Sequence, residues 1–117
     1  GLAEFMVRAA KKTVHVAKIK YLSSIDRQGK ENIGILVTIA DSKNRVVQSA
    51  AVKVDVEIDG DRLGSGSATS NSNGQVGFRV RNAPKGCYKT QVVQLNRDGY
   101  EWDRTADYQD PGDQFCR

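Results

Sequence analysis

"AVKVDVEIDG", residues 51–60, repeats with a period of two. Val52, Val54, Val56 and Ile58 fall on one side of an extended chain, and Lys53, Asp55 and Glu57 fall on the other. That is the pattern of a strand with one face on a core and one in water. Asp59-Gly60 at its end has the residue types that a two-residue hairpin of the primed type needs, because both central positions take positive φ. The stretch therefore predicts a strand followed by a tight reversal.

The same alternation recurs on both sides. In "NIGILVTIAD", residues 32–41, the side chains of Ile33, Ile35, Val37 and Ile39 share a face, with Gly34, Leu36 and Thr38 opposite. "DSKNR", residues 41–45, joins these two strands with side chains that bond nearby backbone. "LGSGSATS", residues 63–70, is too rich in glycine for a strong strand and suits an edge or a bend. In "SATSNSNGQVGFRV", residues 67–80, Ser70 to Asn73 supply turn chemistry and Gly74 a permissive backbone. Val76, Phe78 and Val80 then form the inner face of another strand. "NAPKG", residues 82–86, breaks the pairing ahead of a longer strand over 87–96. Near the start, "TVHVAKIKYL", residues 13–22, changes phase: Val14 and Val16 share one face, while Ala17, Ile19 and Tyr21 follow in the opposite register. A one-residue slip exchanges the two faces, so a bulge or a crossing between sheets is expected near Ala17.

About seven short strands separated by turn signals, without alternating helices, predict an all-β fold: an immunoglobulin-like antiparallel β-sandwich. No segment keeps a helical period over three turns, and "FMVRAAKK", residues 5–12, supports one marginal turn at most. The 117 residues suit one domain able to bury about two thirds of the surface its unfolded chain exposes. Residues 13–117 are read as that domain, and residues 1–12 as a flexible N-terminal segment in which "GLAEF", residues 1–5, reads as a cloning remnant. The start has no apolar core of a secretory signal, so the chain is either cytosolic or has lost a leader. Nothing approaches the roughly 20 apolar residues of a membrane span.

The formal net charge is +4, and its placement matters more than its sum. Residues 1–30 carry seven lysines and arginines against Glu4 and Asp26; residues 98–117 carry six carboxylates against Arg104 and Arg117. Basic and acidic ends attract where the first and last strands of a sandwich lie together, so this split needs no external partner. Nucleic-acid binding is poorly supported, since few aromatics interleave with the basic residues.

Cys87 and Cys116 are too few for a zinc site and too far apart for a redox pair. Pairing with each other is the simplest reading, and two free thiols are the alternative. A disulfide would persist in an oxidising compartment, which argues for an extracellular or cell-surface location.

Three stretches carry a resemblance to a known class: "VTIADSKNRVVQSAAVKVDV" (37–56), "SATSNSNGQVGFRV" (67–80) and "GCYKTQVVQLNRDGYEWD" (86–103). Together they resemble the bacterial immunoglobulin-like accessory modules of secreted enzymes and surface proteins, especially those that follow subtilase-type protease domains. The matching positions are Asp41, Val47, Ala50, Val52, Thr69, Gly74, Val76, Gly86, Tyr88, Gly99, Tyr100 and Asp103. The chain departs at Asn44, where the class usually has glycine, at Asn71 in place of aspartate, and at Trp102 in place of tyrosine. It also lacks the cysteines that often flank the central hairpin. The resemblance spans about residues 13–105 and implies a fold more than an activity.

Candidate sites are few. His15 has no serine or carboxylate close in sequence, and Asp55 and Glu57 share their face with Lys53, as on the wet side of any sheet. The chain is therefore read as non-catalytic. No cofactor is expected, although Asp59 and Asp61 in a hairpin, or Asp103, Asp107, Asp110 and Asp113 in the tail, offer oxygens for weak calcium binding. Neither set has the spacing of a dedicated calcium loop. Tyr100, Trp102 and Tyr108 are the candidate ligand-binding residues, since "YEW" puts Tyr100 and Trp102 on one side of an extended chain. The resemblance makes the same aromatics core and corner residues. The expected role is a spacer, stabiliser or interaction surface for a larger parent polypeptide or neighbouring domain, with polysaccharide or another surface ligand as the alternative.

Overall fold

A computed structural model describes residues 12–107 and 114–117. Its strands are β1 (Lys12–Ile25), β2 (Glu31–Asp41), β3 (Ala51–Ile58), β4 (Asp61–Thr69), β5 (Gln75–Val80), β6 (Cys87–Asn96), β7 (Tyr100–Trp102) and β8 (Gln114–Cys116), with one 3-10 turn at Arg104–Ala106. They form two four-stranded sheets, ordered β5-β2-β1-β7 and β4-β3-β6-β8.

The inner faces are the ones the alternation predicts. Ile33, Ile35, Val37 and Ile39 of β2 pack against Val52, Val54 and Val56 of β3, and all are buried. Fully burying such a side chain contributes about 1.5–3 kcal/mol, and this stacked arrangement holds the sheets together. The link between sheets is also polar. The Tyr21 hydroxyl on β1 donates to Thr90 Oγ1 on β6 at 2.9 Å and accepts from the Thr90 amide at 3.0 Å. Its ring stacks on Phe115 of β8 with centroids 5.6 Å apart.

Local chemistry sets the reversals. Asp59 and Gly60 have φ of 50° and 88°, the primed turn expected between β3 and β4. At the β4–β5 reversal, Asn71 Oδ1 accepts from the amides of Asn73 and Gln75, and Gly74 turns with φ 70°. A Cβ on Gly74 would lie 2.7 Å from the Val46 side chain and 2.9 Å from the Ile39 carbonyl, so glycine is required on steric grounds as well.

The phase change in β1 is a bulge between Val16 and Lys18. It leaves Val14 and Val16 buried on one side of the extra residue and Ile19 buried on the other. The Val16 amide is taken up by the Asp107 carboxylate at 2.8 Å.

Three details differ from the sequence reading. Among the described residues the strands number eight, because the chain adds β7 and β8, each of three residues. The sandwich is not wholly antiparallel, since β7 pairs parallel to β1, with Lys12 opposite Tyr100 and Val14 opposite Trp102. After β6 the chain turns at Arg97–Gly99 and crosses to the other sheet, and β8 takes the antiparallel place beside β6. Lys12, read as the end of the flexible segment, is the first residue of β1. The result is an all-β, immunoglobulin-like sandwich whose first strand pairs with Tyr100–Trp102 of the acidic stretch 98–117, as the charge split suggests. Residues 1–11 lie outside the described part of the chain. Among the described residues, no helix is long and apolar enough to cross a membrane.

Candidate functional site

β7 carries two of the three aromatics singled out above; the third, Tyr108, lies outside the described residues. Tyr100 and Trp102 are half-buried on the core side of β7, while Glu101 between them is exposed. Each ring also meets a cation. Lys12 Nζ lies 5.8 Å and the Arg97 guanidinium 5.7 Å from the Tyr100 centroid, and the Arg104 guanidinium lies 4.2 Å from that of Trp102. The Trp102 indole donates to both oxygens of Asp107 at 3.1 Å. Asp107 thus fastens the indole and the bulged amide of β1 together. The sequence reading missed the three cations, because cation placement over a ring depends on which strands meet and leaves no local spacing signal.

Two open hollows flank these rings. The one beside Tyr100 has a volume of about 520 Å³ and is polar, bounded by Lys12, Arg45, Arg97, Asp41 and Gln48. Arg97 also donates from Nε to the Gln48 carbonyl at 2.9 Å. The cleft beside Trp102, about 450 Å³, brings Lys89, Gln91 and Gln114 of the other sheet to the indole. Hydrogen-bonding groups and an aromatic edge meet there.

Several of the carboxylates that might have served chemistry are engaged in turns or caps. Asp41 Oδ1 accepts the Lys43 and Arg45 amides at 2.9 Å, and its other oxygen pairs with the Arg45 guanidinium at 3.0 Å. Asp59 Oδ1 accepts the Cys87 amide at 2.9 Å. Asp103 caps the 3-10 turn by accepting from the Thr105 hydroxyl and amide. Buried Ser70 takes the Ala50 amide and donates to the Val47 carbonyl. Asp55 faces Arg62 at 3.6 Å across β3 and β4. Among the described residues, no three His, Cys, Asp or Glu side chains are grouped to hold a metal ion. Asp110 and Asp113 lie outside the described residues.

Hydrogen bonding leaves a pH signature. The Arg45 amide above all holds the Asp41 carboxyl below the ordinary aspartate value. The Lys30 amide does this for Asp26, and the Thr105 hydroxyl for Asp103. Each group binds its proton more weakly folded than unfolded. Their stabilisation is therefore present above the ordinary aspartate range, near pH 4, and is lost as pH falls through the lower folded values. The melting temperature should change little from pH 8 to pH 5 and fall below about pH 4. In Asp41→Asn the acid-side fall should be shallower, and an unchanged acid limb would remove Asp41 from this account.

Cys87 and Cys116 face each other across β6 and β8 and are bonded as a disulfide.

No protein-family model matches the chain, and no curated protein matches it in sequence. Among solved structures it is similar to the β-glucuronidase of Parabacteroides merdae, with 16% identity, a TM-score of 0.44, and coverage of 74% of this chain and 14% of that one. The chain thus spans about a seventh of the length of that enzyme.

Proposed function

We propose that the chain is a non-catalytic module of a secreted or cell-surface protein, serving as a spacer, stabiliser or interaction surface beside a larger partner. One observation carries this reading: Asp41, Asp59, Asp103, Asp107 and Ser70 are each bound into a turn, a cap or a strand junction, which leaves them poorly placed to act as acid, base or nucleophile. The disulfide supports an oxidising location.

Two measurements test it. Alkylation of the unreduced protein from its native compartment should modify no cysteine; two modified thiols would overturn the secreted assignment. A panel of chromogenic esters, peptides and glycosides should give no turnover above buffer. A rate abolished by His15→Ala would overturn the non-catalytic assignment.

The cleft beside Trp102 favours a second reading, a polysaccharide-binding site that uses this ring, with Tyr100 and Tyr108 as the companion aromatics the sequence suggests. On that reading, Trp102→Ala lowers retention on the bound polysaccharide roughly 10-fold, in the range of losing one stacked aromatic. Equal retention by a folded Trp102→Ala protein would remove the site.

A further inference from the structure

The outer faces of the two sheets differ in charge. On β3, β4 and β6 the outward residues Lys53, Asp55, Glu57, Arg62 and Lys89 mix both signs, with Asp55 opposite Ser65 and Glu57 opposite both Arg62 and Lys89. The outer face of β1, β2 and β5 is arranged in rows: Lys18–Thr38–Gln75, Lys20–Leu36–Gly77 and Leu22–Gly34–Arg79. Lys18, Lys20 and Arg79 are exposed, and among the described residues none of them is paired with a carboxylate. Arg79 leads into a hollow of about 350 Å³ shared with Arg81, Lys30 and Asn32. Among the described lining residues the one carboxylate is Asp26, which accepts the Gln28 and Lys30 amides through Oδ1 and is outnumbered by Lys30, Arg79 and Arg81. Glu101 lies at the β7 end, opposite Thr13 and beyond the bulge.

The floor between the two groups of cations is uneven, with the half-buried Leu36 of β2 standing between Lys20 and Gly77. Gly34 and Gly77 have no side chains, and the exposed position where a Cβ of Gly77 would project meets no atom within 4 Å. Strand spacing puts β1 and β5 about 10 Å apart, with about 14 Å along the strands from the Lys18 row to the Arg79 row. A basic strip therefore runs diagonally across the sheet, with Gly34 and Gly77 as its low points and Leu36 between them.

Resting on the reading of the chain as a non-catalytic interaction surface, we propose that this strip binds a linear acidic polysaccharide, carboxylated or sulfated, along the diagonal from Lys18 and Lys20 past Leu36, Gly77 and Gly34 to Arg79 and Arg81. Exposed cations at both ends of one sheet face match a chain of regularly spaced negative charge. Single-stranded nucleic acid fits less well, because the face presents no aromatic on which a base stacks. A bilayer fits less well too, because Leu22 and Leu36 lie within the flat sheet rather than on a protruding tip, and Ile25 is on the opposite side of β1.

The test uses the whole chain on immobilised polygalacturonate and dextran sulfate, with neutral dextran, phosphatidylglycerol vesicles and single-stranded DNA as parallel arms. The wild type should be retained on the acidic polysaccharides at low salt and released as salt rises. K18Q/K20Q/R79Q should lose about 10-fold or more in affinity, and K53Q/R62Q on the opposite face should stay within about 2-fold. Gly77→Phe keeps every charge, has room for its Cβ and favours a strand, yet fills the floor; it should lose about 10-fold as well. Circular dichroism and melting confirm the fold of each variant. No retention of the wild type, equal loss in K53Q/R62Q, unchanged binding by Gly77→Phe, or stronger binding to vesicles or DNA would each overturn the proposal. Any of those results leaves the non-catalytic reading to stand on its own tests of thiols and turnover.

Discussion

Tyr88→Ala is expected to lower folding stability by about 3–5 kcal/mol. Tyr88 is fully buried at the start of β6, opposite Ile58 of β3 and Phe115 of β8. Truncation removes a whole ring from a site closed on both flanks by strands, so little can collapse into the space. Its hydroxyl also donates to the Pro84 carbonyl, which fixes the loop before β6. Tyr88→Phe keeps the ring and should cost only about 1 kcal/mol, which separates the hydrogen bond from the packing. Burial pushes the Tyr88 hydroxyl above its ordinary value. The unfolded chain therefore ionises first, and the native state loses this contribution as pH rises above about 10. Urea denaturation of the three proteins at pH 7, and of wild type against Tyr88→Phe up to pH 11, checks both statements. A Tyr88→Ala loss below about 1.5 kcal/mol would mean that the ring is not a keystone of this core.

Removing the disulfide should cost nearly as much. Cys87 and Cys116 are 29 residues apart, and a loop of that size restricts the unfolded chain by about 3–4 kcal/mol. β8 has little else to hold it. Three residues pair with β6, Phe115 stacks on Tyr21, and Arg117 exchanges backbone hydrogen bonds with Gly86 and pairs with Glu31. Cys87→Ser/Cys116→Ser is expected to melt about 10–15 °C below the wild type. Amides of β8 should lose hydrogen-exchange protection ahead of the rest of the sandwich. A double variant that melts within about 2 °C of the wild type would show that strand pairing alone secures the C-terminal strand.

These two sites differ in how far the sequence revealed them. The β3 alternation and the Asp59-Gly60 turn were readable because each depends on neighbours in the chain: pleat direction and backbone φ are local properties. The slip at Ala17 was readable for the same reason, since a change of phase is visible in the order of residues. The cysteine pairing was the simplest of two readings, because proximity of residues 29 apart depends on the path of β8. Of the proposed aromatic site, the shared side of Tyr100 and Trp102 was legible. The cations above their rings were not, because Lys12 reaches Tyr100 only through the parallel pairing of β1 with β7.

By itself the sequence determined which residues face inward, where the chain reverses, and therefore that two apolar sheet faces must cover each other. Tertiary structure decided which strands became neighbours. It put β7 on the sheet of β1, brought β8 beside β6, and set Lys18 and Lys20 of β1 on the same outer face as Arg79 of β5, across β2. The physical reason is range: alternation and turn geometry act over a few residues, whereas partner choice balances loop closure against the burial of a complete sheet.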